Sequence, residues 1–225
     1  MVSRNKFTLL GKLPHEAHAA KRERRDKLIA EDLLVAGTET SAYGLERAMT
    51  RLVHDPNAMS KAKKELEETI GLGNPIEESD IDRLPYLNAV IKESLRLHPP
   101  APMLLPRKAR VDVDISGYTI PKGAQVLINE WAIGRTDIWD DAHLFSPERF
   151  LGSEIDVKGR HFKLTPFGSG RRICPGSPLA VRMLHLMLGS LINSFDWKLE
   201  NNMEAKDMNL DKPLRAIPVA LNNIK

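Results

Sequence analysis

A single cysteine, Cys174, stands in the run PFGSGRRICPG, and it limits the architecture more than any other residue. With no second thiol in 225 residues, no intrachain disulfide can form. The chain must therefore be held by an apolar core, and its 42% hydrophobic content over that length suffices for one or two domains. A lone thiol fits a reducing compartment. Cys174 is then a buried hydrophobe, a nucleophile or a metal ligand. Around it, Gly168, Gly170 and Gly176 permit tight turns and close backbone approach, and a strong helical pattern follows from roughly Pro178 to Phe195. That order places the sulfur near the free N–H groups and positive end of a helix, which favour an anionic sulfur.

Lys and Arg total 33 against 30 Asp and Glu, a net charge of +3 spread along the chain, so nucleic acid is not an expected partner. No run approaches the ~18 apolar residues of a membrane-spanning helix. The best candidate, Ala180 to Ile192, is interrupted by Arg182 and His185, and MVSRNKFTLLGKL lacks the apolar centre of a signal peptide. The expectation is a chain without a membrane anchor of its own.

The dense charge run Lys21 to Lys27 reads as a solvated helix face or a linker, making residues 1–26 a charged segment ahead of a domain over 27–225. From Leu28 a helical stripe runs through Leu33, Leu34, Gly37, Leu45, Ala48, Met49 and Leu52 to HDPN, and AGTETS sits in its middle. A second helix is predicted over Met59 to Ile70. A third begins near Asp80, carries Leu84, Leu87, Val90, Ile91 and Leu95 on one side, and stops at His98-Pro99-Pro100. Val111, Val113 and Ile115 alternate with polar residues before turn signals at Gly117 and Gly123, which predicts paired short strands. The fold class is mainly α with small β-sheet elements.

A zinc site lacks a second cysteine, and GSGRRI matches neither the dinucleotide nor the P-loop pattern. Seven scattered histidines do not define a cysteine hydrolase. Phe167, Gly170, Arg172, Cys174 and Gly176 do match FxxGxRxCxG, and on these residues the loop resembles the haem-binding signature of the cytochrome P450 superfamily. That resemblance implies haem b (iron protoporphyrin IX) with the Cys174 thiolate as its iron ligand. It further implies that Arg172 reaches a haem propionate, Phe167 shields the sulfur, and Gly176 lets the following helix pass under the ring.

Other segments agree. Glu93-Ser94-Leu95-Arg96 resembles the family's ExxR motif and Pro147-Glu148-Arg149-Phe150 its PERF segment, implying a structural network of Glu93, Arg96 and Arg149. As an isolated i,i+3 pair, Glu93 and Arg96 would amount to only ~0.2–0.5 kcal/mol. AGTETS resembles the element that crosses the oxygen-binding face. There Ala36 and Gly37 would remove bulk beside the cofactor, and Thr40 with Glu39 would deliver protons as catalytic residues. A Thr40 hydroxyl bonded to the Ala36 carbonyl is the structural alternative. Arg107 resembles a second propionate contact. Ala101, Met103, Leu104 and Leu105 fall where the family lines its substrate pocket, which implies an apolar small molecule. Lys158, Arg160, Lys163 and Arg171 lie on the face that the family presents to an electron donor.

The resemblance runs from about Lys27 to Val219 and corresponds to the C-terminal half of a family member. Departures occur at Glu130 and Thr136, where an apolar residue and an acid are expected. LPYLNAVIKESLRLHPPAPMLLPR and PFGSGRRICPG resemble plant members, especially the group containing geraniol hydroxylases. Three readings follow. The first is a haem-thiolate monooxygenase, or its catalytic half, taking electrons from NADPH through a flavoprotein reductase and oxygenating an apolar, terpenoid-like molecule. The second is a non-catalytic haem-binding remnant, and the third a helical interaction module with a structural cysteine. A full-length relative is expected at the cytosolic face of the endoplasmic reticulum, anchored by an N-terminal segment outside the resemblance; without that anchor a cytosolic location is expected.

Overall fold

The computed structural model describes residues 13–210 and 212–220. These divide into two compact units, the first ending at Glu39 and the second beginning at Thr40. Helix α1 (Leu13–His54) runs through the boundary. It begins well before Leu28, the predicted start, because the charge run is itself helical. Arg22 and Asp26, and Lys27 and Glu31, form exposed i,i+4 pairs at 3.9 Å, each supporting a helix by ~0.2–0.5 kcal/mol. The predicted stripe on α1 divides in two. Ala48, Met49 and Leu52 are buried, whereas Leu33 and Leu34 are each 67% exposed, and the side chain of Leu28 lies outside the described ones. A helical period marks a face; another element must lie against that face to bury it.

Helix α2 (Pro56–Thr69) starts cleanly because Asp55 accepts hydrogen bonds from the N–H groups of Asn57 and Ala58, with Pro56 at the first helical position. Its i, i+4, i+8 row of Ala58, Ala62 and Leu66 is buried. The predicted third helix is two elements. A 3₁₀ turn spans Glu78–Arg83, and α3 (Pro85–Leu97) begins afresh at the proline, which cannot continue the hydrogen-bond ladder. The free N–H groups of Tyr86 and Leu87 at its start donate to the Glu65 carboxylate of α2 at 2.6 and 2.8 Å. Leu84, Leu87, Val90, Ile91 and Leu95 are all buried, as predicted, but so are Glu93, Ser94 and Arg96. Helix α3 is the centre of this unit, enclosed on nearly every side.

Four short strands follow. β1 (Arg107–Lys108) pairs antiparallel with β4 (Gln125–Val126), and β2 (Val113–Ile115) with β3 (Tyr118–Ile120). The hairpin is where alternation put it, yet Val113 is 40% and Ile115 54% exposed, because neither of its faces is covered. A single helical turn, α4 (Glu130–Ile133), precedes a long irregular stretch. Helix α5 (Ser177–Ser194) closes the core with Leu184, Leu188 and Ile192 against α2 and α3. β5 (Phe195–Leu199) and β6 (Ala216–Ala220) then form a final antiparallel pair. Among the described residues no helix is long and apolar enough to cross a membrane.

The end of α3 carries a titration consequence. His98 accepts a hydrogen bond from Arg51 Nε at 2.9 Å through its Nε2. Burial first, then the positive fields of Arg51, Arg47, Arg135 and Arg96, push its pKa from 6.5 down to about 3. Burial lowers the pKa of His185 on α5 in the same direction. A histidine neutral in the fold but protonated when unfolded favours the unfolded chain once pH drops below 6.5. The stability that His98 contributes is thus complete above that value and lost progressively as pH falls toward 3, and His185 acts in the same direction. Urea midpoints taken stepwise through this window should decline, and the decline should flatten in His98→Gln.

Candidate functional site

Two constellations predicted from sequence form in the second unit. The first is a buried charge network. Arg96 grips Glu93 bidentately, Nε to Oε2 and Nη2 to Oε1, both at 2.7 Å, and neither side chain is exposed. Arg149 joins from the PERF turn, donating from Nε to Glu93 Oε1 at 3.1 Å. The Ser146 N–H donates to the same oxygen at 2.8 Å. The remaining donors of Arg96 go to the carbonyls of Gly134, Ala142 (2.7 Å) and Leu144 (3.1 Å). Those of Arg149 reach the carbonyls of Asp140 (2.8 Å) and Leu144 (3.2 Å). Two guanidinium groups therefore order a segment with little regular structure, from Gly134 to Arg149, by satisfying its carbonyls.

Sequence reasoning missed the part played here by Gly134. A Cβ at that position would run into the backbone carbonyl of Arg96, which has no freedom to yield. Gly134→Ala should therefore destabilise by ~1–3 kcal/mol or more through overpacking, read as a lowered urea midpoint with an unchanged m-value.

The second constellation is the cysteine loop. Its backbone folds on itself: Gly168 N–H donates to Thr165 O at 2.8 Å, Cys174 N–H to Phe167 O at 2.9 Å, and Ile173 N–H to Gly170 O at 3.1 Å. Gly168 and Gly170 have φ of 73° and 66°, the left-handed region that side chains oppose. Gly159, also missed, backs directly onto this loop; a Cβ there would sit 2.8 Å from Gly168 O and 3.1 Å from Ser169 Cα. Cys174 itself is exposed, so the reading of it as a buried hydrophobe is set aside. Phe167 is half-buried and packs on the main core. A Cβ at Gly176 would meet Cys174 Sγ at 3.8 Å, an ordinary contact, so this glycine is not forced by crowding at the sulfur.

The segment predicted to line a pocket also reaches this loop. The Nη2 of Arg107 lies 4.0 Å, and Cδ1 of Leu104 3.9 Å, from the Cβ position of Gly168. Leu104 holds a φ of 47°, a left-handed conformation that costs a non-glycine residue ~1–2 kcal/mol. Met103 and Leu105 are 39% and 78% exposed. Arg171 and Arg172 are exposed three and two residues before Cys174, and Lys158, Arg160 and Lys163 are exposed as well, with Arg160 paired to Asp156. In the first unit Ala36, Gly37 and Glu39 are exposed on α1; Thr40, exposed on the same helix, belongs to the second.

The donor set fits a haem-thiolate arrangement. One exposed sulfur would be available to hold the iron, and cationic side chains at Arg107 and Arg172 suit the carboxylate groups of the ring. Among the described residues no cluster of three His, Cys, Asp or Glu side chains is present to hold a bare metal ion. A cleft of about 490 Å³ lined by Lys61, Glu65, Tyr86 and Glu148 contains none of the predicted site residues. It is an open groove of mixed charge, and we assign it no role in the chemistry.

A cysteine loop ahead of a core helix, together with a buried Glu–Arg–Arg network, is the arrangement that the cytochrome P450 resemblance leads one to expect. The cytochrome P450 family model matches residues 22–220, and the chain belongs to that family. It is 55% identical over 201 residues to geraniol 8-hydroxylase of Catharanthus roseus, covering 84% of this chain and 41% of that protein. It is 49% identical over 199 residues to geranylhydroquinone 3''-hydroxylase CYP76B74 of Arnebia euchroma, with 84% and 40% covered. A zebrafish cytochrome P450 solved with abiraterone superposes with a TM-score of 0.75 at 30% identity, over 86% of this chain and 47% of that one. The chain thus spans about two-fifths of the length of the curated relatives it matches.

Proposed function

We propose that this chain is the cysteine-bearing portion of a haem-thiolate monooxygenase that inserts one atom of dioxygen into an apolar, terpenoid-like small molecule. The observation that carries the proposal is the exposed sulfur of Cys174 on a loop with two left-handed glycines, with the Arg107 guanidinium drawn to the same loop. When bound, haem b supplies the dioxygen-activating chemistry, with electrons from NADPH through a flavoprotein reductase. Cys174 would hold the iron through its thiolate, and Arg107 and Arg172 would neutralise the propionates. On the family resemblance, Glu39 and Thr40 would deliver protons, with Ala36 and Gly37 as the small residues of the same element. Ala101, Met103, Leu104 and Leu105 offer apolar surface to the substrate. The terpenoid class is supported by relatives named for geraniol and geranylhydroquinone hydroxylation. Residence at the cytosolic face of the endoplasmic reticulum belongs to the same proposal.

The test is direct. Haem-loaded protein, reduced and treated with carbon monoxide, should show the thiolate-type Soret band. With a plant reductase and NADPH it should convert geraniol to an oxygenated product. Haem binding without product would favour a non-catalytic remnant, and absence of haem uptake would end the proposal.

A further inference from the structure

Glu130 carries an acid where the family resemblance leads one to expect an apolar residue, and it is only 3% exposed. Burying a carboxylate is costly unless its oxygens are satisfied. Both are, and by one residue: Oε1 accepts the Thr165 backbone N–H and Oε2 the Thr165 hydroxyl, each at 2.7 Å. Thr165 is 5% exposed and begins the cysteine loop. Its carbonyl accepts the Gly168 N–H, and one residue beyond Pro166 the Phe167 carbonyl accepts the Cys174 N–H. On its other side Glu130 is tied to the charge network. Its own carbonyl accepts the Gly134 N–H at 3.1 Å, and the Gly134 carbonyl is a partner of Arg96. An unbroken hydrogen-bonded path therefore runs from Arg96 through Gly134, Glu130 and Thr165 to the turn that presents the sulfur.

We infer that Glu130 is a positioning residue for Cys174: acting through Thr165, it anchors the cysteine loop to the buried Glu93–Arg96 network and sets the orientation in which the thiolate is offered. The part of this that concerns haem rests on the proposed function; the anchoring of the loop does not. An apolar residue at 130 would leave the Thr165 N–H and hydroxyl buried without partners. Glutamine keeps an acceptor for the N–H and allows the hydroxyl to reverse its role.

The experiment compares the intact chain with Glu130→Val, Glu130→Gln and Thr165→Val. Amide hydrogen exchange is followed without haem, and the Soret band of the reduced carbon monoxide adduct after haem addition. In Glu130→Val, exchange at Thr165, Gly168 and Cys174 should rise about tenfold or more, the scale of losing hydrogen bonds to a charged group. Amides in the middle of α3 and α5 should keep their rates. Thr165→Val, which retains the backbone bond, should show a smaller rise at the same amides and remains informative if Glu130→Val fails to fold. Glu130→Gln should stay close to the parent. At equal haem loading the Glu130→Val band should move from thiolate type toward thiol type. Unchanged loop exchange, or a rise spread evenly through α3 and α5, would overturn the inference. Parent protein that takes up no haem would instead defeat the proposed function, leaving the exchange result to decide the anchoring on its own.

Discussion

Glu93→Ala should unfold this protein at ordinary temperatures or bring it close to unfolding. The Glu93 carboxylate accepts hydrogen bonds from Arg96, Arg149 and Ser146, and its removal strands the fully buried Arg96 guanidinium beside three carbonyls that cannot neutralise its charge. Breaking a buried pair by deleting one partner costs ~3–5 kcal/mol, against a total stability of ~5–15 kcal/mol for a domain. Arg96→Lys should be nearly as damaging, because an ammonium cannot reproduce the fork that holds both carboxylate oxygens and the carbonyls of Ala142 and Leu144. Arg149→Ala should cost less, since that side chain is 12% exposed and makes one hydrogen bond to Glu93. Urea titrations followed by far-UV circular dichroism would give the order. Equal midpoints for Glu93→Ala and the parent would refute a network that holds the irregular segment in place.

Cys174→Ala should have the opposite profile. Because the sulfur is exposed, its removal opens no cavity in the core, and the change in stability should stay within ~0.5 kcal/mol. Haem affinity should nonetheless fall by more than about tenfold, ~1.4 kcal/mol or greater. The reduced carbon monoxide adduct should lose its thiolate-type band. Haem titration and the urea midpoint, measured on one preparation, separate the two effects. A variant that keeps the band would remove Cys174 from the site; one that loses both band and fold would make the cysteine structural.

These two predictions differ in how much of each could be read before folding. The participants were legible in both cases. Glu93 and Arg96 sit one turn apart, Arg149 lies in a short proline-led turn, and the glycines flanking Cys174 announce backbone conformations that side chains resist. Local spacing carries such information because helix period, turn chemistry and backbone sterics act over a few residues. The same spacing rated Glu93 and Arg96 as an ordinary surface pair. Only the enclosure of α3 by α2, α5 and the 134–149 segment turned it into a buried one.

The chain's pattern alone also misplaced two boundaries. It began α1 at Leu28 because charged residues carry no apolar stripe, although they propagate a helix through i,i+4 pairs. It carried α3 back to Asp80, across a proline that restarts the ladder at Pro85.

By itself, then, the order of residues determined the family, the loop that bears the cysteine, the three members of the charge network and the apolar face of α3. Tertiary structure alone decided that Cys174 faces outward, that Gly134 and Gly159 are pressed against neighbouring backbone, that Glu130 is buried against Thr165, and that Arg51 holds a neutral His98. The reason is distance along the chain. Turns and periods arise between near neighbours, whereas Thr165, Arg51 and Arg149, the polar partners of Glu130, His98 and Glu93, lie 35 to 56 positions away and meet them only when the core closes.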